Sequence, residues 1–409
     1  MRSQAGTMAG GRVVLEGADA ARGPGASGAG PLRIGYLIDS LTTGGAERLV
    51  VTFAEAVKDR PDVDLTVFVL NGKATPFHEQ LVGLGTRVVM LPGSGIGDLP
   101  RFARLVRALR RARLDCLHAH LTSATVLGSF AAALLRIPFA VTIHNVRPST
   151  RRVTPQRRLV YRMALSRPGI RRIAVGRAVA EALETEFGTR DAIVVPNAIA
   201  PSAVAPPQVR AAKRAELGLG DDEWGLAAVG SLIPQKGYLD LFAAFRRVSA
   251  SEPKAVLLIA GSSEIEHARL LRREAEALGL GDRLRFLGLH RDVPGLLAAS
   301  DLFVSASHWE GAPVALLEAM ANGLPCCVTD VGENALMLEG VDAGLSPPHA
   351  PERLAESVLA LLDDPDRRAR AAVQGREKAM GCYGASAWAD RLVALYADAA
   401  RPGPAGLRA

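Results

Sequence analysis

The chain has 409 residues, more than one hydrophobic core ordinarily serves, so two domains are expected. Hydrophobic residues make up 48% and charged residues 22%, and no run approaches the roughly 18 apolar residues of a membrane-spanning helix. This composition argues against a membrane-spanning chain and for a soluble globular one. The formal charge is +7, and the four cysteines, Cys116, Cys326, Cys327 and Cys382, fit neither a disulfide framework nor a metal spacing. They imply buried thiols in a reducing, cytoplasmic setting.

Residues 1–30, rich in Gly and Ala, lack the basic and apolar regions of a secretory signal and read as a disordered leader. From Leu32, short β-branched runs alternate with amphipathic stretches. Strands are predicted at 32–38, 63–70, 86–91, 114–120, 138–143, 170–175 and 192–195, with helices at 46–59, 99–113 and 122–136. The proline-rich segment 200–220 reads as an interdomain linker and the lead-in to the second domain. A second series follows, with strands at 225–230, 255–261, 283–288, 302–306 and 325–330, and helices at 236–250, 264–278, 292–299 and 313–321. Two more helices come after the Pro365 region, the last at 385–399. The pattern predicts an α/β chain of two Rossmann-like, doubly wound domains. Their predicted spans are 31–200 and 201–382, and 383–409 forms a final helix and tail. Ligands of such folds bind at the carboxyl ends of the strands.

Two basic stretches, 101–113 and 147–172, lie in the first half. No aromatic residues interleave the arginines as a base-stacking platform requires, so an anionic membrane or an anionic acceptor is favoured over nucleic acid. A solvated basic face is the plain alternative. Leu99, Phe102, Leu105, Val106 and Leu109 recur among the arginines of 99–113. They fit either a face resting on a bilayer or one packed on the sheet.

Four motifs point to chemistry. In 307–325 (SHWEGAPVALLEAMANGLP) a strand runs through a polar turn into a helix opening at Pro313. Its unpaired backbone N–H groups suit anionic or hydroxylated ligands. Glu310 precedes this helix and Glu318 lies inside it, so two carboxylates can accept hydrogen bonds from a sugar and a ribose at once. Taken singly each glutamate reads equally as a surface charge, and the strand–turn–helix context favours the functional reading. In 229–245 a strand runs into Gly230 and Ser231, and Lys236 opens the next helix. Only six of the 49 basic residues are lysine, and the helix dipole does not favour one there, so Lys236 reads as a cation for a diphosphate. Gly44 and Gly45 after the first strand permit close approach of a ligand. His118, His120 and His144 all sit at predicted strand ends, suggesting a cleft, although a strand-end histidine is more often structural. Their spacing supports no metal site.

Together GGAE (44–47), HAH (118–120), VVPNAI (194–199), VGSLIPQKG (229–237), RFLG (285–288) and the Glu310–Glu318 element resemble the retaining GT-B glycosyltransferases of family four, also called group 1. The resemblance covers nearly all of 32–399. It implies that Gly44 and Gly45 line the cleft, that His120 assists transfer and that His144 stands on the acceptor side. Lys236 would hold the diphosphate, and the backbone at Leu287 and Gly288 would contact the base. Glu310 and the amides of Gly311, Ala312, Pro313 and Val314 would bind sugar hydroxyls or phosphate, and Glu318 the ribose. (Pro313 has no N–H, so only its neighbours can donate.) Pro196–Asn197 resembles the interdomain hinge, and the final helix would cross back onto the first domain. Ser231 departs from the pattern, since similar proteins often carry arginine there to pair with the lysine.

The function implied is metal-independent, retaining transfer of a hexose or N-acetylhexosamine from a UDP- or GDP-sugar. The acceptor would be a glycan or a lipid-linked molecule of cell-surface polysaccharide or glycolipid synthesis. No cofactor is expected beyond the nucleotide-sugar donor, and the place of work would be the cytoplasm or the inner face of the membrane. The alternatives are a GT-B nucleotide-sugar epimerase and, because of Ser231, a non-catalytic sugar-nucleotide-binding paralogue.

Overall fold

A computed structural model describes residues 30–42, 44–145, 154–262 and 265–401. The predicted leader up to residue 29, the arginines at 147, 151 and 152, and the tail 402–409 lie outside the described residues.

The first sheet has seven parallel strands: β1 (Leu32–Ile38), β2 (Val63–Val69), β3 (Arg87–Met90), β4 (Cys116–His120), β5 (Phe139–Ile143), β6 (Arg171–Ala174) and β7 (Ile193–Val194), in the order β3-β2-β1-β4-β5-β6-β7. The second has six: β8 (Trp224–Val229), β9 (Ala255–Ala260), β10 (Leu284–Gly288), β11 (Leu302–Ser305), β12 (Cys326–Thr329) and β13 (Gly344–Ser346), in the order β10-β9-β8-β11-β12-β13. In both, helices cover the two faces, which is why strands such as β9 (AVLLIA) are apolar throughout rather than alternating. Each sheet reverses its winding once, between β1 and β4 and between β8 and β11. A crevice opens above such a reversal, at the carboxyl ends of the strands.

The chain passes between the sheets twice, and the two passages are hydrogen-bonded together. The Ile199 N–H donates to the Tyr383 carbonyl at 2.8 Å, and the Ala385 N–H donates to the Ile199 carbonyl at 3.0 Å. The helix Ala385–Ala400 then packs on the first sheet, with Leu392 and Tyr396 buried in one cluster with Tyr36 and Phe53.

Three expectations need correction. The segment 200–220 is not all linker, because Pro207–Glu216 is a helix whose buried Arg214 donates to Asp301 and to the Gly220 and Glu223 carbonyls. Pro207 stands in the first turn, where proline starts a helix instead of breaking it. On the helix Leu99–Ala112, Leu105 and Leu109 are fully buried and Phe102 and Val106 pack partly buried on the same core. That face belongs to the protein interior and not to a bilayer, and only Leu99 is exposed. Of the four thiols Cys116, Cys326 and Cys327 are buried, but Cys382 is exposed. Among the described residues no helix is long and apolar enough to cross a membrane.

Candidate active site

Lys236 does not open the long helix as expected. It ends a short 3-10 turn, Pro234–Lys236, and the helix Tyr238–Ser251 begins after Gly237. Gly237 has φ +59°, and a methyl group there would stand 2.0 Å from the Ala306 carbonyl oxygen. Only glycine lets the turn pass this close to the end of β11. The turn aims the lysine across the switch point. Lys236 Nζ and Glu310 Oε1 are 2.5 Å apart, although 74 residues separate them in the chain. Glu310 is 6% exposed, accepts a further hydrogen bond from Ser307 Oγ at 2.7 Å, and has Gln235 Nε2 at 3.4 Å from its other oxygen.

On the opposite wall, β4 places His118 and His120 on one face, two residues apart. The structure separates their roles. His118 is completely buried, with Nδ1 2.5 Å from Tyr396 Oη and Nε2 2.8 Å from Thr142 Oγ1, and Tyr396 Oη lies 2.7 Å from Tyr36 Oη. It therefore anchors the final helix and does not line the cleft. His120, at the strand end, places Nδ1 3.0 Å from His144 Nε2. Either tautomer of that pair leaves His120 Nε2, which is buried without a hydrogen-bond partner among the described residues. An orphaned buried nitrogen is costly unless a ligand oxygen meets it.

Burial pushes His118 down to about 3 and His144 to about 4, and holds His120 well below its ordinary value. All three are neutral at pH 7. Because their folded values lie below the unfolded value near 6.5, their stabilising contribution is complete above about pH 6.5 and is lost as pH falls toward 4 and below. Burial acts oppositely on Asp39, Glu47 and Glu318, raising each carboxyl, so the histidine share is read from a difference. Between pH 6.5 and 5, His118→Gln is expected to lose less stability than the parent, by up to about 2 kcal/mol. Urea unfolding at the two pH values measures it, and equal losses would contradict neutral burial of His118.

The two walls touch. A methyl group on Gly45 would lie 3.2 Å from Val314 Cγ2, so the helices Gly45–Val57 and Val314–Ala321 meet at their starts. Behind that contact Arg48 Nε lies 3.5 Å from Glu318 Oε1. Asn145 Nδ2 donates to Gln235 Oε1 at 3.1 Å, and Asn197 Nδ2 to the Ala312 carbonyl at 2.6 Å. Glu333 Oε1 accepts from the Ala178 N–H at 3.2 Å. Gly311 backs directly onto the His144 carbonyl. The sequence offered His120, His144, Lys236, Glu310, Glu318 and Gly311 from separate motifs, and here they share one interdomain seam. Leu287 and Gly288 stand apart on the second sheet's edge strand, joined to the site through a row of strand ends. In that row Gly230 N–H bonds to the Ala260 carbonyl at 2.9 Å and Gly261 N–H to the Gly288 carbonyl at 2.8 Å. Ser231 follows Gly230, against which the Lys236 stem lies.

Several site residues escaped the sequence reading. Arg48, Gln235 and Ser307 lie in or beside the motif stretches, where nothing in residue type or spacing marks them. Asp39 accepts the Ser123 and Ala124 N–H groups at 3.1 and 2.6 Å, and its position at the end of β1 was the available signal.

Family models match both halves. Residues 43–203 match "Glycosyltransferase Family 4" and 209–378 match "Glycosyl transferases group 1". The chain belongs to the family 4, group 1 glycosyltransferases. The UDP-Gal:alpha-D-GlcNAc-diphosphoundecaprenol alpha-1,3-galactosyltransferase of Escherichia coli is 29% identical to it over 66% of this chain and 72% of that protein. A GDP-mannose-dependent monoacylated phosphatidylinositol monomannoside mannosyltransferase of Corynebacterium glutamicum is 33% identical, over 42% of this chain and 46% of its own length. Anabaena HepE in complex with UDP-glucose superposes with a TM-score of 0.80 at 23% identity, covering 89% of this chain and 99% of that one, and shows the same GT-B fold. The enzyme is thus a GT-B glycosyltransferase, and its two sheets are the two Rossmann-like domains of that fold.

Proposed function

We propose that this glycosyltransferase moves a hexose or N-acetylhexosamine from a UDP- or GDP-sugar to a glycan or lipid-linked acceptor, with retention of anomeric configuration. The observation that carries this reading is the meeting of Lys236 and Glu310 at one switch point, with His120 Nε2, unpartnered among the described residues, on the other wall. Cleavage of the donor's anomeric C–O bond leaves negative charge on the diphosphate and positive charge on the sugar carbon. A fixed ammonium and the backbone N–H groups opening the helix Val314–Ala321 suit that anion. On this route the acceptor oxygen attacks from the face the diphosphate leaves, and its proton passes to the departing phosphate oxygen. No metal is required. Glu310 orients Lys236 and the sugar hydroxyls and is not assigned as a nucleophile, and His120 Nε2 is offered to a hydroxyl of the transferred sugar.

The relatives name UDP-Gal and GDP-mannose as donors and an undecaprenol diphosphate and an acylated phosphatidylinositol mannoside as acceptors. A thermal-shift panel of UDP, GDP, ADP and their sugars ranks the nucleotides, since a ligand at about 100 times its Kd stabilises by ~2.7 kcal/mol. Stabilisation by UDP or GDP is expected, and no stabilisation by either overturns the donor assignment.

For a lipid-linked acceptor the cytoplasmic membrane face is the proposed place of work. The helix Pro155–Leu165, within the second basic stretch, exposes Leu159 and Met163 beside Arg157, Arg158 and Arg162. Each arginine near an anionic surface contributes about 1 kcal/mol, screened by salt. Co-sedimentation with anionic vesicles at low salt, lost at high salt and in Leu159→Asp/Met163→Asp, is the expected result. Protein that stays in the supernatant at low salt contradicts it.

A further inference from the structure

Outside the seam, three residues from distant parts of the chain converge on the second domain. Asp240 lies in the first turn of the helix Tyr238–Ser251, His308 in the loop after β11, and His349 between β13 and the helix Pro351–Asp363. His308 Nε2 is 2.8 Å and His349 Nδ1 3.5 Å from the same oxygen of Asp240, and the imidazole centroids are 3.9 Å apart. Among the described residues this is the one place where three such ligand atoms lie within 4.8 Å of one another. His349 holds its ring there from a left-handed backbone, φ +59°, a conformation costing roughly 1–2 kcal/mol for a residue with a Cβ. A histidine whose side chain is 65% exposed gains little from burial to offset that. Two imidazole nitrogens converging on one carboxylate oxygen, one of them held there from a left-handed backbone, form a ready set of ligand atoms for a cation.

We propose that Asp240, His308 and His349 bind a divalent transition-metal ion of the zinc type and that its occupancy clamps the donor-side loop. Two imidazole nitrogens and one carboxylate oxygen, with a position left to water, match zinc, cobalt or nickel and not the all-oxygen preference of magnesium or calcium. The ion lies off the reaction centre, so it takes no part in the transfer step. Its influence runs through the chain. The His308 N–H donates to the Gln235 carbonyl at 2.8 Å, Ser307 on one side of His308 donates to Glu310, and Glu310 stands two residues beyond. Asp240 lies four residues after Lys236. An ion joining Asp240 to His308 therefore fastens the two segments that carry the Lys236–Glu310 pair. Distances of 68 and 41 residues between the ligands hid the cluster from any spacing rule.

The test uses the full chain, tag-free and stripped with chelator, at pH 7.5. Cobalt(II) is titrated with visible absorption as the readout, followed by zinc competition, with no nucleotide present, so that the result is independent of the transferase reading. The expected result is one equivalent per chain with a nitrogen–oxygen spectrum lacking any thiolate charge-transfer band, which keeps the exposed Cys382 out of account. Affinity should fall at least about tenfold in His349→Asn, which tolerates the left-handed backbone, and likewise in Asp240→Asn. Absence of binding, a thiolate band, or affinity as high as the parent's in both variants overturns the site. Affinity for whichever of UDP and GDP stabilises the parent is then compared with and without one equivalent of zinc. A severalfold change in the parent and none in His349→Asn is expected, and no change in the parent overturns the clamp.

Discussion

Lys236→Ala is expected to lower kcat/KM by about 10²–10³-fold in a chain that remains folded, the usual consequence of removing one fixed charge from a developing anion. Ser231 makes the dependence acute, because position 231 carries no arginine to share the load with the lysine. The substitution also strips Glu310 of its ion-pair partner, and an unpaired buried carboxylate is itself destabilising. Lys236→Met combined with Glu310→Gln separates the two effects, since the pair is then replaced by neutral groups of similar shape. Stability should return toward that of the parent while activity stays low. Recovery of turnover in the double variant, or near-normal turnover in Lys236→Ala, would remove the diphosphate-clamp assignment.

Gly311→Ala is expected to cost about 10²-fold in kcat/KM with little loss of either domain's own stability. The added methyl would stand 2.3 Å from the His144 carbonyl oxygen and 2.9 Å from Val175 Cγ2, and the first of these is backbone that cannot rotate away. The walls of the seam must then part by a fraction of an ångström or more. Displacement of reacting groups by about 1 Å is enough for an effect of this size. Small-angle scattering should report a larger radius of gyration than in the parent. An unchanged radius together with parental activity would show that the loop yields locally and that the seam does not set the geometry.

The fold was legible because strand and helix periods alternate without interruption, and each predicted strand falls on an observed one to within a residue or two. What the period misses is direction. The apolar positions of 99–112 have the same spacing whether they face a bilayer or a sheet, and only the burial of Leu105 and Leu109 decides. Helix Pro207–Glu216 was hidden by its own prolines, and Pro155–Leu165 by its arginines. The motif residues were legible because rare residue types stand after strands, as with the lone lysine of 229–245. Their pairing was not, because Lys236–Glu310, Arg48–Glu318 and Asn145–Gln235 join segments 74 or more residues apart. His118 and His120 look alike in sequence, and the final helix separates them by supplying Tyr396 to the first and nothing to the second.

The central claim is sugar transfer from a nucleotide donor at the Lys236–Glu310–His120 site. Its most direct test incubates the full chain with α-linked UDP- and GDP-hexoses and N-acetylhexosamines and a pool of lipid-linked and glycan acceptors. The anomeric proton of the product is then read by NMR. The expected product is a new α-glycoside with one of these donors, formed by the parent and nearly absent with Lys236→Ala. A β-product would contradict retention. Donor epimerised without acceptor would contradict transfer, and so would bound donor with neither transfer nor slow hydrolysis.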